Sequence, residues 1–214
     1  MRITLLLILS LWLSACTQQA PSTGLYLLLD TSGTYTQELK KAQQIIHYYL
    51  AELNPGDSFA VGRIDSASFS EQDIVAKVTF DLRPSKANEQ KRQFAQQIAE
   101  FVNTAKSSAY TDITGGLLMS TEYLNETNST HKHVLIFSDL REELPVGYNR
   151  DVALNLTGFN VIALNVTKLR SDNQDPQQYL DRMQRWQEKV ENAGGTWRIV
   201  NDLERQSALT LNKD

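Results

Sequence analysis

The stretch Leu25-Tyr26-Leu27-Leu28-Leu29-Asp30-Thr31-Ser32-Gly33-Thr34 changes character at one residue. Five consecutive apolar side chains suit a strand covered on both faces, and such strands belong to parallel sheets enclosed by helices. Asp30 ends the run, and Asp30, Ser32 and Thr34 then bring three oxygen-bearing side chains onto a tight turn in which Gly33 relieves backbone crowding. Beyond the turn the period shifts. Leu39, Ala42, Ile46, Tyr49 and Leu53 recur at steps of three and four, which predicts an amphipathic helix over 36–53, stopped by Asn54-Pro55-Gly56.

The same alternation continues outward. Residues 58–64 and 74–80 read as a second and a third strand, and the segment between them is too short for a helical crossover, so this pair is expected to be antiparallel. Phe94, Ile98, Phe101 and Ala105 mark a helix after Pro84, and residues 113–124 read as another, interrupted by Gly115-Gly116 near its start. Val134-Leu135-Ile136-Phe137 is a fourth strand, 159–166 a fifth and 196–200 a sixth. Tyr179, Met183, Trp186 and Val190 line one face of a long helix between the last two, and a short helix over 203–209 closes the domain. The expected class is α/β: a doubly wound, mostly parallel six-stranded sheet with one antiparallel edge strand, helices on both faces and right-handed crossovers. Ligands of such sheets gather beyond the carboxyl ends of the strands, so Asp30 and Asp139, each ending an apolar strand, are expected at the same edge.

Thr111-Asp112-Ile113-Thr114-Gly115-Gly116 opens a helix, and Phe137-Ser138-Asp139 closes a strand. With the Asp-x-Ser-x-Thr turn, these pieces resemble the von Willebrand factor type A domain family and its metal-ion-dependent adhesion site. The resemblance spans residues 24–205 and implies the strand order 3-2-1-4-5-6. It also implies a metal held by Asp30, Ser32, Thr34, Thr111 and Asp139, with a coordination position left for an acidic residue of a protein partner. Thr34 departs from the usual serine but keeps the hydroxyl. The chemistry agrees with this implication. Hard divalent cations prefer oxygen, and Mg²⁺ takes six ligands at about 2.0–2.1 Å while keeping several waters. Mg²⁺ is therefore the expected ion, with Mn²⁺ or Ca²⁺ as alternatives, and binding without bond-making is the expected activity. Asp112 reads as a supporting or helix-start residue, not a ligand. The alternative reading is that all these side chains are turn and cap residues. A second alternative is enzymatic: residues 27–34 also resemble the phosphoaspartate loop of haloacid dehalogenase-like phosphohydrolases, with Asp30 as nucleophile.

The amino terminus carries Arg2, then an apolar segment from Ile3 to Leu13, and then Leu13-Ser14-Ala15-Cys16 with the only cysteine. The charge and the apolar segment are those of a secretory signal, and the last four residues resemble the lipobox of bacterial lipoproteins. The division expected is a signal peptide over 1–15, an acylated Cys16 with a short linker over 16–23, one domain over 24–210 and a tail over 211–214. Such a linker extends at most about 25 Å, which keeps the domain close to an extracytoplasmic membrane surface. Thr17 is not the aspartate associated with inner-membrane retention, so in a double-membraned bacterium the resemblance implies the outer membrane, facing the periplasm.

The 214 residues hold 25 acidic and 21 basic side chains, a net charge of −4, which argues against a nucleic-acid partner. A hydrophobic content of 41% excludes a wholly disordered chain. His131 and His133 alternate on one strand face and have the residue type of metal ligands, but at a strand start they read as solvent-facing. Trp186 and Trp197 read as packing residues, and Arg141-Glu142-Glu143 as a charged loop beside Asp139.

Overall fold

The computed structural model describes residues 21–65 and 71–211. The secretory signal, Cys16 and most of the linker therefore lie outside the described residues. Strand β1 (Thr23–Leu29) is buried along its whole length. Its side chains alternate between two cores, with Leu25, Leu27 and Leu29 in one and Tyr26 and Leu28 in the other. A strand that serves two cores must be apolar at every position, which is why no alternation shows in its sequence.

Six strands form one sheet: β1, β2 (Ser58–Arg63), β3 (Ile74–Thr79), β4 (His131–Phe137), β5 (Phe159–Leu164) and β6 (Thr196–Val200), in the order β3-β2-β1-β4-β5-β6. Only β2 and β3 pair antiparallel, with a register shift at Val61/Gly62, and every other neighbour is parallel. The expected architecture and strand order are thus observed.

Helices α1 (Leu39–Glu52) and α2 (Pro84–Thr104) supply Ile46, Tyr49, Phe94 and Ile98 to one face of the sheet. Helices α3 (Ile113–Glu126) and α4 (Pro176–Asn192) supply Ile113, Leu117, Trp186 and Val190 to the other. The chain leaves β1 for α1 on one side and enters β4 from α3 on the other, so strand order reverses between β1 and β4. A crevice at the carboxyl ends of these two strands follows from that reversal.

Four local expectations are corrected. The helix expected over 36–53 begins as a 3-10 segment, Gly33–Glu38, before α1. The tighter winding accompanies the inward placement of Tyr35, whose hydroxyl donates to the Asn165 carbonyl at 2.7 Å. The closing helix over 203–209 is only a 3-10 turn, Gln206–Ala208. Carbonyls there accept from tertiary donors: Leu209 from Tyr49 at 2.9 Å, and Ala208 and Thr210 from Arg198 at 3.1 and 3.0 Å. His133 is fully buried, not solvent-facing, because β4 is covered from its third residue onward.

Gly115 and Gly116 do not interrupt α3. A side chain at Gly116 would lie 2.5 Å from Ile64 Cγ2 and 3.0 Å from Leu28 Cδ2, so the glycine lets the first turn of α3 settle onto the sheet.

Candidate functional site

Leu29 and Phe137 are register partners, so the residues that follow them leave the sheet side by side. The Asp30 amide donates to the Phe137 carbonyl at 3.1 Å. The segment before α3 closes over this exit. Ser32 and Ser108 form a parallel bridge, Thr111 and Glu143 an antiparallel one, and the Asp112 amide donates to the Ile64 carbonyl at 2.8 Å. Three loops, after β1, before α3 and after β4, are thereby held together at one edge by backbone hydrogen bonds.

Asp30 forms the floor and is fully buried. Its Oδ1 accepts from the Ser32 amide at 2.8 Å and from the Thr111 hydroxyl at 3.4 Å, and its Oδ2 accepts from Ser138 Oγ at 2.6 Å. Burial pushes the Asp30 carboxyl up to about 6, against the opposing pull of the Ser138 and Ser32 hydrogen bonds, and the nearby Asp139 charge adds to the rise. Asp139 sits at the rim and is 9% exposed; its carboxyl is also raised by burial, and its Oδ1 accepts from the Arg141 amide at 2.9 Å. Thr111 is buried and Ser32 half-buried. Thr34 belongs to the 3-10 segment, and its side chain lies outside the described atoms.

Four of the five expected residues therefore converge, and the fifth lies on the same turn. Among the described residues, neither Asp30 nor Asp139 forms an ion pair with a lysine or arginine. No group of three histidine, cysteine, aspartate or glutamate side chains comes together among them either, so any cation here would depend on hydroxyl ligands as well as carboxylates. That donor set fits a hard divalent ion. Two carboxylates match its charge, the hydroxyls add oxygens without adding charge, and a cation would favour the ionised Asp30 that burial disfavours.

Asp112 is the N-cap of α3: Oδ1 accepts from the Gly115 amide at 2.7 Å, and Oδ2 accepts from Arg150 Nε at 2.8 Å. Its carboxylate is occupied by these roles. Two supporting groups were not anticipated from sequence. Ser138 holds Asp30 and also accepts from the Leu140 amide at 3.0 Å. Arg182 donates from Nε to the Asp139 carbonyl at 2.9 Å while its other nitrogens reach the buried Asp172 at 3.2 and 2.8 Å. Arg182 lies on the same face of α4 as Tyr179 and Trp186, and a charged residue on an otherwise apolar stripe was the available signal.

No family model matches the chain, and no curated protein matches it. Solved structures do. A von Willebrand factor type A protein from Catenulispora acidiphila is 15% identical, with a TM-score of 0.54 over 88% of this chain and 41% of that one. The pilus adhesin SpaC from Lactobacillus rhamnosus GG, in an open conformation, is 12% identical, with a TM-score of 0.56 over 90% of this chain and 29% of that one. The chain spans less than half the length of either protein. At these identities the likeness is one of fold, and the fold is the von Willebrand factor type A fold.

Proposed function

We propose that this protein is a membrane-anchored adhesion module that binds a protein partner through a divalent cation, Mg²⁺ first among the candidates. Asp30, Ser32, Thr34, Thr111 and Asp139 would hold the ion, directly or through water, and an acidic side chain of the partner would complete its shell. When bound, the ion supplies electrophilic attraction for that carboxylate. The chain's own part is to bury and orient Asp30 and Asp139, with no lysine or arginine in ion-pair contact with either among the described residues. One observation carries the reading: Asp30, Thr111 and Asp139 come from three separate loops onto one edge of the sheet, with the Asp30 carboxylate buried and unneutralised.

Anchoring through an acylated Cys16 completes the proposal. The first described residues enter at the amino end of β1, and the acidic cup lies past its carboxyl end, about 20 Å away for a strand of this length. A domain tethered at that end presents the cup away from the membrane, where a partner in the extracytoplasmic space can reach it. The occurrence of the fold in a pilus adhesin is in keeping with a binding role.

Isothermal titration of the purified chain with MgCl₂ and MnCl₂ tests the site. Binding is expected, and Asp30→Ala and Asp139→Ala are each expected to abolish it. Absence of heat with both ions would leave a metal-free structural domain. Hydrolysis of p-nitrophenyl phosphate that disappears in Asp30→Asn would replace the adhesion reading with the phosphohydrolase one.

A further inference from the structure

Beside the acidic cup lies an open cleft of about 570 Å³ between the loop after β4 and one face of α4. Cup and cleft share a wall. Asp139 faces the cup, while the adjoining Leu140, Arg141 and Glu142 line the cleft. Trp186 and Leu169 give the cleft an apolar floor, and the indole is fixed by donation from Nε1 to the Leu140 carbonyl at 2.9 Å.

The charges around the cleft are unevenly committed. Arg182 is saturated by Asp172 and the Asp139 carbonyl, and Arg141 pairs with Glu143 at 2.6 Å. The two acidic side chains of the lining are also engaged: Glu142 accepts from the Thr114 amide at 2.7 Å, and Asp181 from the Gln177 side chain at 2.8 Å. Arg185, exposed and one turn beyond Asp181, has no hydrogen bond or ion pair among the described residues. Lys189, one turn further, donates to the Thr114 hydroxyl, makes a long ion pair with Glu142 at 4.0 Å and stacks over Trp186 at 4.7 Å. Two cations at i and i+4 therefore flank an indole on a single helix face, in a chain whose overall charge is −4.

We infer that this cleft is a second recognition subsite for the same partner, accepting a further acidic side chain of the segment whose first carboxylate sits on the metal. The inference rests on the proposed metal site and extends it from one carboxylate to an acidic segment. The apolar floor takes the stem or a neighbouring side chain of that segment, and Arg185 and Lys189 take its charge. An anionic lipid headgroup is the less suitable occupant, because the cleft opens at the sheet edge opposite the point where the chain enters β1.

The test uses fluorescein-labelled glycine peptides, some carrying one glutamate and others two glutamates separated by two to four glycines. Affinities are read by fluorescence polarisation in MgCl₂ at low ionic strength, with magnesium alone titrated calorimetrically in parallel. At one or more spacings the second glutamate is expected to tighten binding about fivefold, as for a partly exposed charge pair, and the gain is expected to vanish in 0.5 M NaCl. Arg185→Ala and the pair Arg185→Ala/Lys189→Ala should remove the gain and leave the one-glutamate affinity unchanged. Arg185 makes no hydrogen bond or ion pair among the described residues, so its single variant separates recognition from stability.

Magnesium uptake with no gain at any spacing, or a gain that survives both variants, overturns the cleft and leaves the cup standing. No magnesium uptake overturns both. Binding to phosphatidylglycerol vesicles that Arg185→Glu abolishes, with no gain for the acidic peptides, would assign the cleft to a membrane instead.

Discussion

Withdrawing the Asp30 carboxylate from water raises its proton affinity from the ordinary 3.8 to about 6, so without a cation the folded protein holds that proton where the unfolded chain has released it. Below pH 3.8 both states are protonated and nothing is lost. Between 3.8 and 6 the native state binds more protons, so stability falls as pH rises through this window. Above about 6 the loss is complete, on the order of 3 kcal/mol. Other carboxylates titrate nearby, so the quantity to measure is the difference between wild type and Asp30→Asn. In EDTA, urea midpoints at pH 4 should nearly coincide, and at pH 7.5 the asparagine variant should be the more stable. Equal midpoints at both values would mean that burial does not penalise the charge. Asp30 and Asp139 were legible in the sequence because each ends an apolar strand, whereas Ser32 and Thr111 were singled out only by the resemblance of their motifs to the type A domain site. Ser138 escaped notice as a support because its bond to Asp30 depends on the register of β1 against β4, which no local pattern encodes.

At the scale of elements, α4 does more than cover the sheet. Its Arg182 ties the loop carrying Asp139 to the buried Asp172. Removing one member of a buried pair strands the other, which typically costs about 3–5 kcal/mol. Arg182→Ala should therefore lower the urea midpoint strongly. Arg182→Met with Asp172→Asn, which removes both charges and fills much of the volume, should recover a large part of the loss. If the single variant were as stable as wild type, the pair would not be holding α4 to this loop. The helix and strand spans were legible where period and breakers agreed. Asn54-Pro55-Gly56 stopped α1, and Pro84 and Pro176 stand at the first turns of α2 and α4. The misread segments share a cause. Gly33–Glu38 and 203–209 have their backbone conformation settled by partners distant in the chain, Asn165 for Tyr35 in one case and Tyr49 and Arg198 in the other.

For the molecule as a whole, the two cores and the single antiparallel pair explain why a chain with low identity to its structural neighbours keeps their fold. Strands β2, β1, β4 and β5 are each constrained on both sides by neighbours, and the order β3-β2-β1-β4-β5-β6 leaves one reversal point. Burying the Asp30 carboxylate at that point makes the folded protein less stable at neutral pH than its packing alone would make it, and a cation bound at the proposed site would act on the entire folding equilibrium. If the proposed site takes up Mg²⁺, a concentration a hundred times its Kd would add about 2.7 kcal/mol by mass action. For a domain of this size that is a rise in Tm of about 5–10 °C, provided the ion does not bind the unfolded chain. The measurement is differential scanning calorimetry at pH 7.5 in EDTA and then in MgCl₂, with NaCl added to the EDTA sample to equal ionic strength so that general screening cancels. Asp139→Ala should remove the shift. Asp30→Asn should remove it too, but from a higher starting Tm in EDTA, because that variant no longer carries the buried charge. This opposite pair of effects distinguishes a bound ion from screening by salt, which would raise wild type and both variants alike. A wild-type Tm that does not respond to Mg²⁺, Mn²⁺ or Ca²⁺ would mean that the cup tolerates its charge without a cation.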